Sequence, residues 1–275
     1  MPELPETETI ARDLDAAVSG RRIVEVTVRR PDVLREVTPE ELAARVRGAV
    51  LDRVWRRAKL VVLDLSTGDR LAVQPRFTGA LLIDAGDLPA EERQYSTLDL
   101  LLDDGRRLHY RDIRRLGTVT AMDPARWAAY AGALGAEPLD PAFTAVHLSA
   151  LLRDSRQAVK KVLMDQRRLA GVGNIYAAEA LWRAGIDPSR PARSLRAPEV
   201  AALRDGLVGV LTESVAHRGT SFRDYRDARG ERGRFVERLA VYGRGGEPCL
   251  RCGQRLVETH EVDGRSTVLC WRCQQ

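Results

Sequence analysis

Residues 165–188 read DQRRLAGVGNIYAAEALWRAGIDP, and this stretch sets the character of the C-terminal half. Its periodicity predicts one helix ending near Arg168, a turn over LAGVGN, and a second helix beginning at Ile175. Gly171 and Gly173 permit positive φ and close approach of another backbone. Their N–H groups beside a helix N-terminus suit a phosphate, and the Asn174 amide can donate to the same anion. An ordinary helix–helix connection accounts for a lone Gly-x-Gly equally well.

Working outward, AVHLSALLRD (145–154), AVKKVLMDQRR (158–168) and PEVAALRDGLVGVLTESVAHRG (198–219) carry helical periods. RGTSFRDYRDARGERGRF (218–235) is basic and glycine-rich, the composition of a mobile loop. LGAEPLDPAF (134–143), with Pro138 and Pro141, reads as a linker. Ahead of it the pattern is different. Residues 3–19 form a helix on the spacing of Leu4, Thr7, Ile10, Leu14 and Val18, with Gly20 behind. Short strand-like runs follow at 22–30, 60–66, 70–75, 80–84, 96–102, 106–112 and 118–122. TPEELAARVRG (38–48) interrupts them as a helix, with Thr38 and Glu41 placed for a capping box. Many short strands without alternating helices imply an antiparallel sandwich or barrel.

The chain has 275 residues, 44% hydrophobic and 30% charged, with net charge +5. That balance describes a soluble globular protein and makes a polyanionic partner plausible. Lys59, Lys160 and Lys161 are the only lysines, so the basic excess is arginine and reflects genome composition more than function. No apolar run reaches the length of a membrane span. The acidic first twenty residues exclude a secretory leader and point to the cytoplasm.

All four cysteines lie in the last 27 residues, as CLRC (249–252) and CWRC (270–273) separated by 17 residues. This is zinc-ribbon spacing, with Asp263-Gly264 turning the hairpin between the pairs. Two disulfides are the alternative, and the lack of a secretory signal favours zinc. Four thiolates leave no open coordination position, so the metal is structural and holds something in place. Arg265, just past the turn, is the candidate.

PELPETE (2–8) admits two readings. Pro2 suits the first turn of a helix, where its missing N–H costs nothing and acidic neighbours complement the dipole. Alternatively, Pro2 becomes the N-terminus and acts through its own nitrogen.

These stretches, with RRAKLVVLDL (56–65), RDIRRLG (111–117) and LAVYGRGGEPC (239–249), resemble the formamidopyrimidine-DNA glycosylase family from end to end. The resemblance implies an α+β fold: an N-terminal helix with an antiparallel β-sandwich, then a helical domain with a helix–two-turn–helix element and a four-cysteine zinc finger. The corresponding divisions are 1–135, 136–240 and 241–275. It implies a monomeric bacterial base-excision enzyme, acting at the nucleoid on duplex DNA with oxidised or abasic sites. After loss of the initiator methionine, Pro2 would be the nucleophile and Glu3 the proton-shuttling carboxylate, with Glu6 in support. Lys59 would contact the lesion and its phosphate, and Lys160 would grip the backbone. Asn174 and Arg265 would clamp the phosphate beside the flipped nucleotide, with Gly173 and Tyr176 in the same DNA-binding element. Phe77, Arg114 and Leu116 fall where the family fills the vacated stack with methionine, arginine and phenylalanine. Cys249, Cys252, Cys270 and Cys273 would hold one zinc. Gln74 stands where a histidine is usual; with Phe77 and Leu116 it departs from the common pattern and puts opposite-base preference in question.

The PELPE opening and the 219–235 loop fit the branch acting on oxidised purines such as 8-oxoguanine. An endonuclease VIII-like enzyme for oxidised pyrimidines is the alternative. A damage-binding zinc protein without catalysis is a third reading, against which Pro2 and Glu3 argue, because binding alone needs neither.

Overall fold

The apolar stripe of Leu4, Ile10, Leu14 and Val18 is wholly buried along α1 (Leu4–Val18). The computed structural model describes residues 2–275; Met1, whose removal the N-terminal reading requires, lies outside them. The chain divides into two compact units, Met1–Ala133 with His217–Arg234, and Leu134–Ala216 with Phe235–Gln275.

In the first unit α1 is followed by β1 (Ile23–Val28), α2 (Pro39–Val46), β2 (Leu51–Arg57), β3 (Leu60–Leu65), β4 (Arg70–Gln74) and β5 (Gly79–Asp84). The one-turn α3 (Ala90–Arg93), β6 (Ser96–Leu102), β7 (Arg107–Asp112), β8 (Thr118–Met122) and α4 (Pro124–Gly132) complete it. Two four-stranded antiparallel sheets result, ordered β1-β6-β7-β5 and β2-β3-β4-β8. Leu98, Leu100, Leu102 and Leu108 of one sheet and Val61, Leu63, Leu71 and Val73 of the other join Ile10, Leu14 and Val18 in one core. This is the sandwich expected from sequence, with α1 closing one side. Thr38 and Glu41 form the expected capping box on α2.

Besides the one-turn α3, two elements escaped the sequence reading. In β2 the register shifts between Leu51 and Arg53, so its inward residues Leu51 and Val54 are three apart and the period of two is lost. The helix α4, capped by Asp123, covers the outer face of β3 and β4 with Trp127. β3 is therefore apolar on both faces, with Leu60 and Val62 meeting Trp127 while Val61 and Leu63 face the sandwich.

The second unit holds α5 (Ala145–Leu152), α6 (Val159–Leu163), α7 (Asn174–Ala184), α8 (Ala197–Ala216) and the hairpin β9 (Val257–Thr259)–β10 (Thr267–Leu269). α6 stops at Leu163, not near Arg168 as the periodicity suggested. The Gln166 side chain explains the early stop: it donates to the carbonyls of Met164 and Val172, at 2.9 and 2.8 Å, and accepts the Gly171 N–H. On α7, the buried Glu179 carboxylate accepts the N–H groups of Ala240, Val241 and Tyr242, anchoring the approach to the cysteine tail.

On the outer face of β6 and β7, Asp99 pairs across the strands with His109 at 2.6 Å and with Arg29 at 2.5 Å. Burial raises the Asp99 carboxyl, but His109, Ser96 and Arg29 outweigh it and hold it at about 2. Its stabilisation is complete above about pH 4 and is lost as pH falls through the folded value, about 2 kcal/mol in all. Urea unfolding between pH 4 and 2 is expected to lose that much more stability in the native chain than in Asp99→Asn. Parallel curves would contradict the assignment.

Candidate functional site

At the head of α1 the N-cap is Glu3, and the first-turn proline is Pro5. Pro2 therefore stands outside the helix, and the role of an N-terminal helix proline belongs to Pro5. Pro2, Glu3 and Glu6 are all buried. The Glu6 carboxylate accepts the Glu3 N–H at 2.8 Å through one oxygen and the Thr220 N–H at 2.8 Å through the other. Glu6 is thus a tie between the chain start and the His217–Arg234 segment.

That segment is pinned where a loose loop was expected. Arg218 bridges Asp13 of α1 and Asp227, and the Asp227 carboxylate also accepts the N–H groups of Arg229 and Glu231, each at 2.9 Å. Burial works against the Arg218 charge, but Asp227 and Asp13 raise its pKa well above the ordinary value. The Tyr225 hydroxyl donates to the Glu6 carbonyl at 3.3 Å, and the Ala228 carbonyl accepts the Ile83 N–H of β5.

Lys59 lies in the two-residue turn between β2 and β3, only 7% exposed. Beside it the Arg56–Glu8 ion pair, 2.8 Å, fastens the strand end to α1. Phe77 occupies the β4–β5 turn, while Arg114 and Leu116 occupy the β7–β8 loop. Phe77 is 47% and Leu116 40% exposed, unusual for large apolar groups, and the Arg114 guanidinium sits 5.4 Å from the Phe77 ring centre. The structure therefore brings the three expected wedge residues onto neighbouring turns. Backbone strain marks the same places. Among the described residues, five non-glycines have positive φ, and all but Glu36 fall here. Ala58 precedes Lys59, Arg76 precedes Phe77, Arg115 separates Arg114 from Leu116, and Arg218 opens the pinned segment.

In the second unit Gly171 has φ +81° as expected, but Gly173 is extended (φ −138°) and serves as the N-cap of α7. The Gly171 N–H is held by Gln166, so it is not available to an anion as the sequence suggested. Asn174 Nδ2 donates to the Ser266 carbonyl at 2.9 Å, which docks the β9–β10 hairpin against the turn. Arg265, on that hairpin, is exposed. Two of the expected DNA-binding residues have buried side chains. Lys160 is wholly buried: its Nζ donates to Thr267 Oγ1 at 2.6 Å and lies 3.4 Å from Asp263 Oδ1 and from the Ser266 carbonyl. Its ammonium braces the hairpin. The Tyr176 side chain is equally buried, sharing a 2.6 Å hydrogen bond with Ser214 and packing near Phe235. It is a core group.

None of the four cysteines is disulfide-bonded, and their sulfurs lie within 4.8 Å of one another. Tetrahedral zinc thiolates place sulfurs about 3.8 Å apart, so the tetrad fits one structural zinc. Two of the ligands, Cys249 and Cys270, pack with Val241, Leu256, Val268 and Ala178 of α7, so the metal fixes the hairpin that bears Arg265.

Three family models cover most of the chain. One described as the formamidopyrimidine-DNA glycosylase N-terminal domain matches residues 1–119, one described as the H2TH domain of the same enzyme matches 134–226, and one described as a zinc finger found in FPG and IleRS matches 246–275. The chain is 42% identical to a formamidopyrimidine-DNA glycosylase of Roseiflexus, with both chains covered in full. It is 44% identical to that of Moorella thermoacetica, over 93% of each chain. Among solved structures, a Lactococcus lactis FPG mutant in complex with Fapy-dG-containing DNA superposes with TM-score 0.91, at 30% identity over the whole of both chains. The MutM (FPG) protein of Thermus thermophilus superposes with TM-score 0.86, at 37% identity over 99% of this chain and 98% of that one.

Metal analysis is expected to find about one zinc per chain, and Cys270→Ser to lose most of it and to lower the thermal midpoint. Full stability without zinc would contradict a structural role.

Proposed function

We propose, for a chain that belongs to the formamidopyrimidine-DNA glycosylase family, that it excises oxidised purines, 8-oxoguanine and formamidopyrimidines, from duplex DNA and then cuts the strand as an AP lyase. The observation that carries this reading is the position of Pro2, outside α1 and followed at once by a buried Glu3, while Pro5 fills the helical role. Among the described residues no helix is long and apolar enough to cross a membrane. The substrate lies with the bacterial chromosome, which places the reaction in the cytoplasm at the nucleoid.

Once Met1 is removed, the Pro2 nitrogen is a secondary amine. An α-amino group titrates near about 8, and the positive end of a helix lowers that value, so a neutral fraction is available at pH 7. The amine attacks C1′ of the damaged nucleotide and the base departs with a proton; the amine proton is lost and the C1′–O4′ bond then opens onto a protonated O4′, leaving an iminium ion. The iminium acidifies the C2′ proton, and β- then δ-elimination opens the strand. Glu3 moves protons on the sugar during ring opening. The Glu6 bridge keeps Glu3 in register and joins it to Thr220, beside the segment that resembles a lesion-covering loop.

The base must first leave the stack, at a cost of a few kcal/mol. Phe77, Arg114 and Leu116 enter the vacated space and offset that cost. Asn174 and Arg265 hold the phosphate beside the flipped nucleotide, and Lys160 acts on Arg265 through the hairpin it braces.

Borohydride is expected to trap an adduct with a duplex containing 8-oxoguanine opposite cytosine, and a chain that keeps Met1 is expected to trap none. Absence of an adduct on both that duplex and an abasic one would sink the enzymatic reading; adducts only with oxidised pyrimidines would move it to the other branch. Glu3→Gln is expected to slow base release by about 100-fold or more. Arg265→Ala should reduce the slope of log affinity against log salt by about one, whereas Lys160→Met should leave that slope unchanged. Equal loss of slope would return Lys160 to phosphate contact.

A further inference from the structure

Asp112 ends β7 where the chain turns into Ile113-Arg114-Arg115-Leu116, and its side chain is 1% exposed. Its carboxylate joins two separate turns. Oδ1 accepts the Thr78 hydroxyl at 2.5 Å, and Oδ2 accepts the Gly117 N–H at 2.8 Å. The Thr78 oxygen in turn accepts the Arg114 N–H at 3.0 Å. Thr78 follows Phe77 directly, and Gly117 follows Leu116 directly. One buried charge therefore links the residues adjoining all three wedge side chains. The bonds are of the strong, charge-assisted kind, and removing an acceptor would leave buried donors unpaired.

The backbone on either side shows what this link holds. Arg76 (φ +51°) and Arg115 (φ +51°) are strained L-residues, one in each turn, and such conformations persist only when their surroundings enforce them. At Gly117 the loop is pressed so close that an added Cβ would lie 1.8 Å from the Tyr110 hydroxyl and 2.7 Å from the Gln74 carbonyl. The Tyr110 hydroxyl also reaches Asp112 Oδ2 at 3.4 Å.

We propose that Asp112 is a positioning residue. Through Thr78 it makes the turn carrying Phe77 and the loop carrying Arg114 and Leu116 into one rigid wedge, and so governs how the enzyme discriminates the base opposite the lesion. The proposal rests on the glycosylase reading above. It assigns Asp112 no contact with the reacting atoms.

The test compares native enzyme with Asp112→Asn, Thr78→Val and Thr78→Ser. Single-turnover excision is measured on duplexes bearing 8-oxoguanine opposite cytosine or adenine, and borohydride trapping on a single-stranded abasic oligonucleotide. The single strand has neither a base to expel nor an opposite base. Asp112→Asn and Thr78→Val are expected to slow duplex excision about tenfold and to narrow the cytosine-over-adenine preference about threefold or more. Trapping on the single strand should stay within about twofold, because the chemistry is untouched. Thr78→Ser, which keeps the hydroxyl, should behave as native. Thr78→Val preserves shape and volume, so it carries the test even if Asp112→Asn folds poorly. Equal losses on duplex and single strand, or an unchanged cytosine-over-adenine ratio in Thr78→Val, would overturn the proposal while leaving the glycosylase reading intact. A native enzyme that traps neither substrate would overturn both.

Discussion

The Glu6 carboxylate, 1% exposed, is the constraint on which the proposed chemistry depends. A buried carboxylate must be satisfied, and here both its oxygens are taken by backbone N–H groups, of Glu3 and of Thr220. The chain start is normally the least ordered part of a domain. Glu6 reverses that by tying it to a segment more than 200 residues away in sequence. Arg218, bridging Asp13 and Asp227, makes a second tie between the same two stretches. A nucleophile on the first mobile residue of a chain would be poorly aimed, and these bonds remove that objection.

The same logic recurs wherever a side chain proposed to act on DNA sits on a turn. Lys59, Phe77, Arg114 and Leu116 are carried by turns with strained backbone, and each turn is backed by buried polar bonds or an ion pair. In the second unit, the exposed Arg265 is held at its backbone, its N–H on Asp263 and its carbonyl accepting the Thr267 hydroxyl. Its hairpin is held by the cysteine tetrad with its zinc, by the Lys160 ammonium and by the Asn174 amide. Aromatic content is only 5%, so rigidity at these turns comes from polar ties more than from aromatic packing.

Much of this was legible in the sequence because the responsible signals are local. The stripe of α1, the capping box at Thr38, and the strand runs of both sheets depend on periodicity and on neighbours three or four residues away. The cysteine spacing specifies its site almost alone. What could not be read depends on partners distant in the chain. A bulge removed the alternation of β2, and Gln166 ended α6 by binding carbonyls on both sides of the turn. A phosphate role for Lys160 is implied by the resemblance and by no local signal. Only the fold shows Thr267 and Asp263 waiting for it. Asp112 drew no notice within RDIRRLG, since nothing local reveals that Thr78 is its partner.

The proposed nucleophile is the nitrogen of Pro2 and no side-chain amine. The most direct measurement is mass spectrometry of peptides from the borohydride-reduced protein–DNA adduct. A sugar-derived mass is expected on the N-terminal peptide, beginning at Pro2 and fragmenting with the modification on that residue. Modification of a lysine-containing peptide, at Lys59, Lys160 or Lys161, with an unmodified Pro2, would contradict it.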